Sequence, residues 1–467
     1  MKRQLLILFL LSLSAFSIHA QTWSPVGAGL NNVVYALDTI GGNLYAGGAF
    51  DSAGGKPANY IAEWNGTSWF PLGKGVSNSK SSSGTEVNAI TSFNGKIVAG
   101  GLFDSAGGQP ATNIAMWNGT IWSSLGKGIN GPVYALIVYN GNLYAGGSFD
   151  SAGGVLVNNI AMWNGSAWSN VGGGIRIDSG ATTPVYVYAF CGFNGRLYVG
   201  GIFDSAGNAY TRNIAAWDGA KWYALDSGVY SNFSIADVAA LATYDYNLYA
   251  AGVFNTASGV HVANIAEWDG VKWNALGTVS SSNYWNTNLA LGVYGRDLYI
   301  GGYVDYTDEW YCFFTYWNDT SFTYPPTMTG GIVPSGYPPS INAFAVYDNN
   351  LFVGGNFDTA GGIPANFIAQ WNNPLGINSI TKDNNEIKLY PNPNNGVFTI
   401  QLNSIQSIAN SQIEIYNLLG EKIYTETLRQ AQGDNTINLS DQPSGIYLYR
   451  ITSDKGEAIG SGKVIIN

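Results

Sequence analysis

Residues 142–175 read NLYAGGSFDSAGGVLVNNIAMWNGSAWSNVGGGI, and this stretch decides the fold because it recurs. Residues 43–76 read NLYAGGAFDSAGGKPANYIAEWNGTSWFPLGKGV, and residues 96–129 read KIVAGGLFDSAGGQPATNIAMWNGTIWSSLGKGI. Further copies begin at Arg196, Asn247, Asp297 and Asn350. Gly-Gly pairs start at Gly47, Gly100, Gly146, Gly200, Gly301 and Gly354, with Ala251-Gly252 in the fifth copy. Self-similarity at a period of about 50 residues marks a repeat architecture.

Each copy reads as four strands. VYALIVY (133–139) is strand A, and Asn140-Gly141 turns the chain into strand B, NLYAGGSF. After a longer loop, NIAMW (159–163) is strand C, and Asn164-Gly165 turns it into strand D, AWSNVG. Asn-Gly between apolar runs is the strongest local hairpin signal, because type I′ turns need positive φ at both central residues. A four-stranded meander at this period is one blade of a β-propeller. Trp64, Trp117, Trp163, Trp217, Trp268, Trp317 and Trp371 end strand C; Trp69, Trp122, Trp168, Trp222 and Trp273 sit in strand D. Large aromatics of this kind fill the wedge between blades.

The two ends of the repeat region explain each other. The seventh copy stops at IAQWNNPLG without a strand D, and residues 21–29, QTWSPVGAG, match that strand with Trp23 at its Trp position. The expected fold is therefore all-β: a seven-bladed propeller closed by the N-terminal strand, with no open sheet edge, plus a small C-terminal β-sandwich. Phe322 stands where the sixth copy lacks its second Trp. The repeat resembles the kelch family: NGNLYAGG and IAMWNGSAW carry the likeness over residues 22–376, although the spacer from Gly-Gly to the first Trp is longer here. The likeness implies a fold more than a function.

Composition agrees. The chain has 467 residues with 61 glycines, 14% aromatic and only 11% charged residues, a profile of Gly-punctuated strands rather than helices. Residues 1–20 carry Lys2 and Arg3 ahead of the apolar run from Leu5 to Phe16 and end on Ala20, which reads as a secretory signal peptide. Its removal leaves 18 basic against 30 acidic residues and moves the net charge from −10 to −12. Such a surface repels phosphate backbones, which argues against nucleic acid. No second apolar stretch is long enough to cross a membrane. Cys191 and Cys312, in different repeats, read as packed free thiols, with a lone disulfide as the alternative.

After the propeller (21–376) comes a polar linker (377–385) and a strand-rich tail (386–467). The tail carries Tyr390-Pro391-Asn392-Pro393, Tyr416-Asn417-Leu418-Leu419-Gly420, Gly445-Ile446-Tyr447 and the closing Lys463-Val464-Ile465-Ile466. In these four motifs it resembles the C-terminal sorting domain of the type IX secretion system, found in Bacteroidetes. The resemblance implies export through the inner membrane by the leader, then through the outer membrane by recognition of the tail, to the medium or the outer cell surface. It makes the type IX machinery a partner, and it implies that the tail is cleaved on arrival.

The chemistry is sparse. With the leader removed, His261 is the only histidine, which argues against His-clustered zinc and copper sites and against a copper oxidase of the kelch-like class. Aligned with Pro57 and Pro364, it reads as loop variation. No cofactor is expected. Asp51, Asp104, Asp150, Asp204, Asp305 and Asp358 recur after strand B and read as Asx-turn residues accepting nearby backbone N–H groups; a calcium site on these aspartates is the sharper alternative. Glu63 and Glu267 precede the first Trp of their copies, and a carbohydrate-active enzyme needs two such acids about 5–10 Å apart. In the sixth copy, Tyr284, Trp285, Tyr306, Trp310 and Tyr311 lie outside the repeat positions. They are the candidate binding residues for a glycan or surface protein, the other reading being a repacked blade. Ligand contact is expected on the face of the B–C and D–A loops. The leading function is a non-catalytic binding or surface-interaction propeller; the rivals are a carbohydrate-active hydrolase or lyase using loop carboxylates and a purely structural surface role.

Overall fold

A computed structural model describes residues 22–79, 84–180, 182–232, 234–277, 286–306, 309–323, 339–372, 387–391, 394–402, 412–417, 422–427, 433–452 and 458–466. The expected leader and the 377–385 linker lie outside these residues. The chain divides into two compact units, Met1–Leu375 and Gly376–Asn467. Every regular element among the described residues is a β-strand.

Among the described residues the first unit contains seven four-stranded antiparallel sheets. In the third repeat the order is Val133–Tyr139, Asn142–Gly147, Ile160–Trp163 and Trp168–Asn170, a plain meander. Its A–B turn has positive φ at Asn140 and Gly141, as the Asn-Gly reading requires. One sheet is composite: Thr22–Pro25 lies antiparallel to Ile368–Asn372, with Trp23 opposite Trp371, next to Asn350–Asn356 and Ser340–Tyr347.

Inner strands of successive sheets touch. Val34–Ile40 contacts Glu86–Phe93, which contacts Val133–Tyr139, then Tyr186–Phe193, Ala240–Tyr244, Asn286–Tyr294 and Ser340–Tyr347; this last strand contacts Val34–Ile40. The Gly-Gly pairs permit that spacing. A Cβ on Gly47 would lie 2.6 Å from Val87 Cγ1 of the following repeat, and one on Gly48 would run into the Val33 carbonyl.

In five sheets a strand-D tryptophan ties the sheet to its predecessor. Trp64 and Trp69 face each other across strands C and D, with ring centroids 5.3 Å apart, and the Trp69 indole N–H donates to the Val26 carbonyl at 3.0 Å. Equivalent bonds run from Trp122 to Leu72 (2.7 Å), Trp168 to Leu125 (2.9 Å), Trp222 to Val171 (3.0 Å) and Trp273 to Leu225 (3.4 Å). Trp317–Phe322 and Trp23–Trp371 fill the same positions at 4.8 and 4.7 Å.

The long B–C connection, read as a loop, contains a small hairpin of its own. Ser105–Ala106 and Gln109–Pro110 form one, joined by Val76–Ser77 from the preceding D–A link; Ser205–Ala206 and Thr256–Ala257 are joined in the same way. His261 is the exposed end of such a hairpin, opposite Thr256. The sixth repeat differs: Asp297–Tyr306 and Glu309–Trp317 run on as one long ribbon. Cys191 and Cys312 are buried free thiols.

In the second unit, one sheet holds Ile387–Tyr390, Val397–Leu402 and Gly433–Asn438; the other holds Lys422–Thr427, Gln412–Tyr416, Gly445–Thr452 and Ala458–Ile466. Alternating residues of both, among them Phe398, Ile400, Ile413, Ile437, Tyr447 and Val464, share one core. This is the geometry of a sandwich.

Candidate functional site

The sequence-predicted aromatic group is only partly described. Tyr284 and Trp285 lie outside the described residues. Tyr306 ends the long strand of the sixth repeat, with Trp310 opposite Asp305 and Tyr311 opposite Val304 in the register.

The recurring aspartates bind the chain across a junction rather than mainly their own turn. Asp51 Oδ1 accepts from Asn31 Nδ2 at 2.6 Å, and Asp150 Oδ1 from Asn130 Nδ2 at 2.6 Å. Asp104 Oδ2 accepts from the N–H and hydroxyl of Ser79 at 3.0 and 2.7 Å. Asp204 accepts from the Asp178 and Ser179 N–H groups at 2.7 and 3.0 Å. Burial works against ionised Asp204, but these bonds outweigh it and hold its carboxyl below the ordinary value. The donors lie 20–26 residues earlier, in the D–A link, so these four side chains fasten their B–C hairpins to the incoming chain. Asp358 also has an interaction partner. Among the described residues no three His, Cys, Asp or Glu side chains gather as a metal-binding group. An open depression of about 320 Å³ lies at one junction, lined by Asn130, Ser148, Phe149, Asp150 and Asn159.

Glu63 and Glu267 belong to separate sheets. Asn43 Nδ2 donates to Glu63 Oε1 at 2.8 Å and the Tyr45 hydroxyl to Glu63 Oε2 at 3.2 Å; Asn247 Nδ2 donates to Glu267 Oε1 at 2.9 Å.

A different constellation emerges where the inner strands begin. Six of them shift register opposite their Gly-Gly pair; in five the ladder skips one residue, Tyr35, Asn88, Tyr134, Tyr188 or Asn342, and in the sixth repeat it skips two. Bulges re-aim side chains and are common beside functional sites. Here they bring neighbouring repeats together. Tyr134 lies with its ring centroid 5.9 Å from Tyr186 and 5.7 Å from Tyr188, and the latter two stack at 5.3 Å and 8°. All three are half-buried.

Two acids flank the tyrosines. Burial, then the charge of Glu86, pushes the Tyr134 phenol up to about 12; burial, then Asp237, raises that of Tyr188. Glu86 Oε1 accepts from Asn88 Nδ2 at 3.0 Å, and Asp237 Oδ1 accepts from the Val253 N–H at 2.9 Å. Burial raises the Asp237 carboxyl despite that bond. The sequence held the signal: in Val34-Tyr35-Ala36, Val87-Asn88-Ala89, Val133-Tyr134-Ala135, Val187-Tyr188-Ala189 and Ile341-Asn342-Ala343, only the middle residue changes character.

In the second unit Tyr390 ends a strand and Pro391 follows it, while Asn392, Pro393 and Gly420 lie outside the described residues. Buried Asn394 donates its N–H to the Ile465 carbonyl at 2.9 Å, locking the motif turn onto the last strand. The Tyr416 hydroxyl donates to Glu414 at 2.7 Å, and Asn417 follows the end of that strand. Gly445 opens the next strand, and buried Tyr447 donates to the Pro443 carbonyl at 2.7 Å.

Residues 388–467 match the family described as the secretion system C-terminal sorting domain. The tail is a sorting domain. The chain is therefore a type IX secretion substrate, exported to the cell surface or beyond it. Residues 94–115, from the A–B turn to the start of strand C, match a β-propeller domain of unknown function (DUF5122), and the repeat unit is a β-propeller. No curated protein matches the sequence. Similar solved structures include PorZ, a surface component of the type IX secretion system of Porphyromonas gingivalis (14% identical, 93% of this chain and 59% of that one, TM-score 0.45). They also include a fungal alcohol oxidase of the AA5 family in complex with copper (12%, 96% and 99%, 0.43) and a Trypanosoma rangeli sialidase with 2,3-difluorosialic acid (10%, 96% and 90%, 0.34). The chain spans 59% of the PorZ length. At these TM-scores no ligand or reaction carries over. Among the described residues no helix is long and apolar enough to cross a membrane.

Proposed function

We propose that this chain is an exported, non-catalytic binding propeller that meets its ligand at the rim where the inner strands begin. The observation that carries the reading is the convergence of Tyr134, Tyr186 and Tyr188 from adjacent repeats, flanked by Glu86 and Asp237. Side chains on variable positions of a rigid frame are where recognition concentrates.

The reading includes a seven-bladed ring closed by the N-terminal strand. It is supported by the pairing of Thr22–Pro25 with Ile368–Asn372 and by the cyclic contacts of the inner strands. It also includes the leader over residues 1–20, the boundaries 21–376, 377–385 and 386–467, cleavage of the tail, kelch-like repeats and a Bacteroidetes source. Tyr284, Trp285, Tyr306, Trp310 and Tyr311 are a second candidate surface for a glycan or surface protein.

The alternative is a carbohydrate-active hydrolase or lyase. One feature favours it: burial raises the Asp237 carboxyl, and a raised carboxyl suits general acid catalysis. A glycan array and a hydrolase and lyase screen on the exported protein separate the two. Retention without turnover, lost in Tyr188→Leu, supports binding. Turnover lost in Glu86→Gln or Asp237→Asn overturns it.

A further inference from the structure

We propose that the rim takes an organic cation, an ammonium or guanidinium group seated against Tyr134, Tyr186 and Tyr188 and balanced by Glu86 and Asp237. This rests on the rim being the binding surface, and it names the ligand's charge.

The rings supply the first half of the argument. A stacked pair and a third ring tilted across it at 57–59° present aromatic faces on a half-buried patch. The face of an aromatic ring carries negative potential, and Tyr is among the rings that hold a cation within about 6 Å of the centroid.

The missing counter-charge supplies the second. Glu86 and Asp237 each accept one neutral hydrogen bond, from Asn88 and Val253. The ion pairs among the described residues are Arg176–Asp178 and Lys422–Glu414, and neither involves Glu86 or Asp237. None of the seven inner strands contains a lysine or arginine. A half-buried carboxylate is costly without a partner; among the described residues no lysine or arginine pairs with Glu86 or Asp237, and a ligand cation would supply that charge. The chain's net charge of −10 draws cations toward such a mouth. A neutral sugar would use the rings and leave both charges uncompensated.

The test is a ligand-observed NMR titration of the full chain with tetramethylammonium, lysinamide and argininamide. Tert-butanol serves as the uncharged near-isostere of the first, and maltohexaose as a neutral glycan. The expected result is saturable binding of the cations and none of tert-butanol. Affinity should fall about ten-fold in Tyr188→Leu and in the Glu86→Gln/Asp237→Asn pair, and change less than about three-fold in Tyr188→Phe, which keeps the ring. Unchanged melting temperatures establish that the variants are folded. Preference for tetramethylammonium over the two amides would point to a free quaternary amine, and the reverse to a protein side chain; both support the proposal. Three results overturn it: no saturable cation binding, cation binding indifferent to the rim variants, or maltohexaose binding that Tyr188→Leu abolishes while cations stay unbound. The last sinks the cation and leaves the rim as the binding surface; the first two, with no rim-dependent ligand on the array, sink both.

Discussion

Gly354, in the last repeat, faces Val34, in the first: a Cβ on Gly354 would lie 2.6 Å from Val34 Cγ1 and 3.1 Å from Leu37 Cδ1. Gly47 stands in the same relation to Val87, and Gly100 to Val133. The first and last repeats thus meet as any two successive ones do. Gly354→Ala is expected to cost about 1–3 kcal/mol through overpacking, read by urea unfolding. Adding Val34→Ala should recover part of that loss, a coupling that a double-mutant cycle detects.

The strand-D tryptophans give a differential test. Trp122 donates its indole N–H to the Leu72 carbonyl at 2.7 Å, whereas buried Trp23 Nε1 has no partner among the described residues. Trp122→Phe should therefore cost about 1–3 kcal/mol more than Trp23→Phe, because it strands a buried carbonyl while the other removes a donor with no acceptor among the described residues. Equal losses would mean that ring volume alone matters.

Asp38 lies opposite Tyr45, where other repeats place Ile137, Cys191, Ala242 or Ala345. Burial pushes its carboxyl from 3.8 up to about 6, against one backbone hydrogen bond at Thr39. A raised folded value favours the fold at pH below 3.8, and that contribution is lost as pH rises through 6. Asp38→Asn should therefore be more stable than wild type at pH 8, by about 1–3 kcal/mol, with the difference shrinking toward pH 4. Melting curves across that range check the sign.

Burial pushes the Cys191 thiol up to about 11 and the Cys312 thiol up to about 12. Neither should react with a thiol reagent in the native protein at pH 8, and both should react after denaturation. Rapid native labelling would show that the sheets around them open.

What the sequence made legible is what repeats. The Gly pairs, the Asn-Gly turns and the Trp at the end of strand C each report a constraint imposed on every copy, so their meaning survives without coordinates. The loan of Trp23 to the last sheet was legible because Trp371 lacked a mate. The aspartates after strand B were visible as a series, but their partners, such as Asn31 and Ser79, sit in links whose sequences do not repeat, so a local turn was the natural reading. The rim was missed for a related reason. Tyr134 and Tyr188 look like ordinary strand residues until the bulge opposite Gly146-Gly147 or Gly200-Gly201 removes them from the ladder. A bulge depends on two strands at once, and no single window of sequence contains both.

The proposed ring would hold Glu86, Tyr134, Tyr186, Tyr188 and Asp237 of four successive repeats at one rim. The direct measurement is thermal unfolding of two truncations beside the full chain, one lacking residues 21–29 and one ending at Leu375. The account predicts that loss of residues 21–29 lowers the melting temperature sharply, since it removes Trp23 from against Trp371 and bares a strand edge, while loss of the tail leaves the propeller transition unmoved. An N-terminal truncation that melts like the full chain, or a tail truncation that unfolds the repeats, would contradict it.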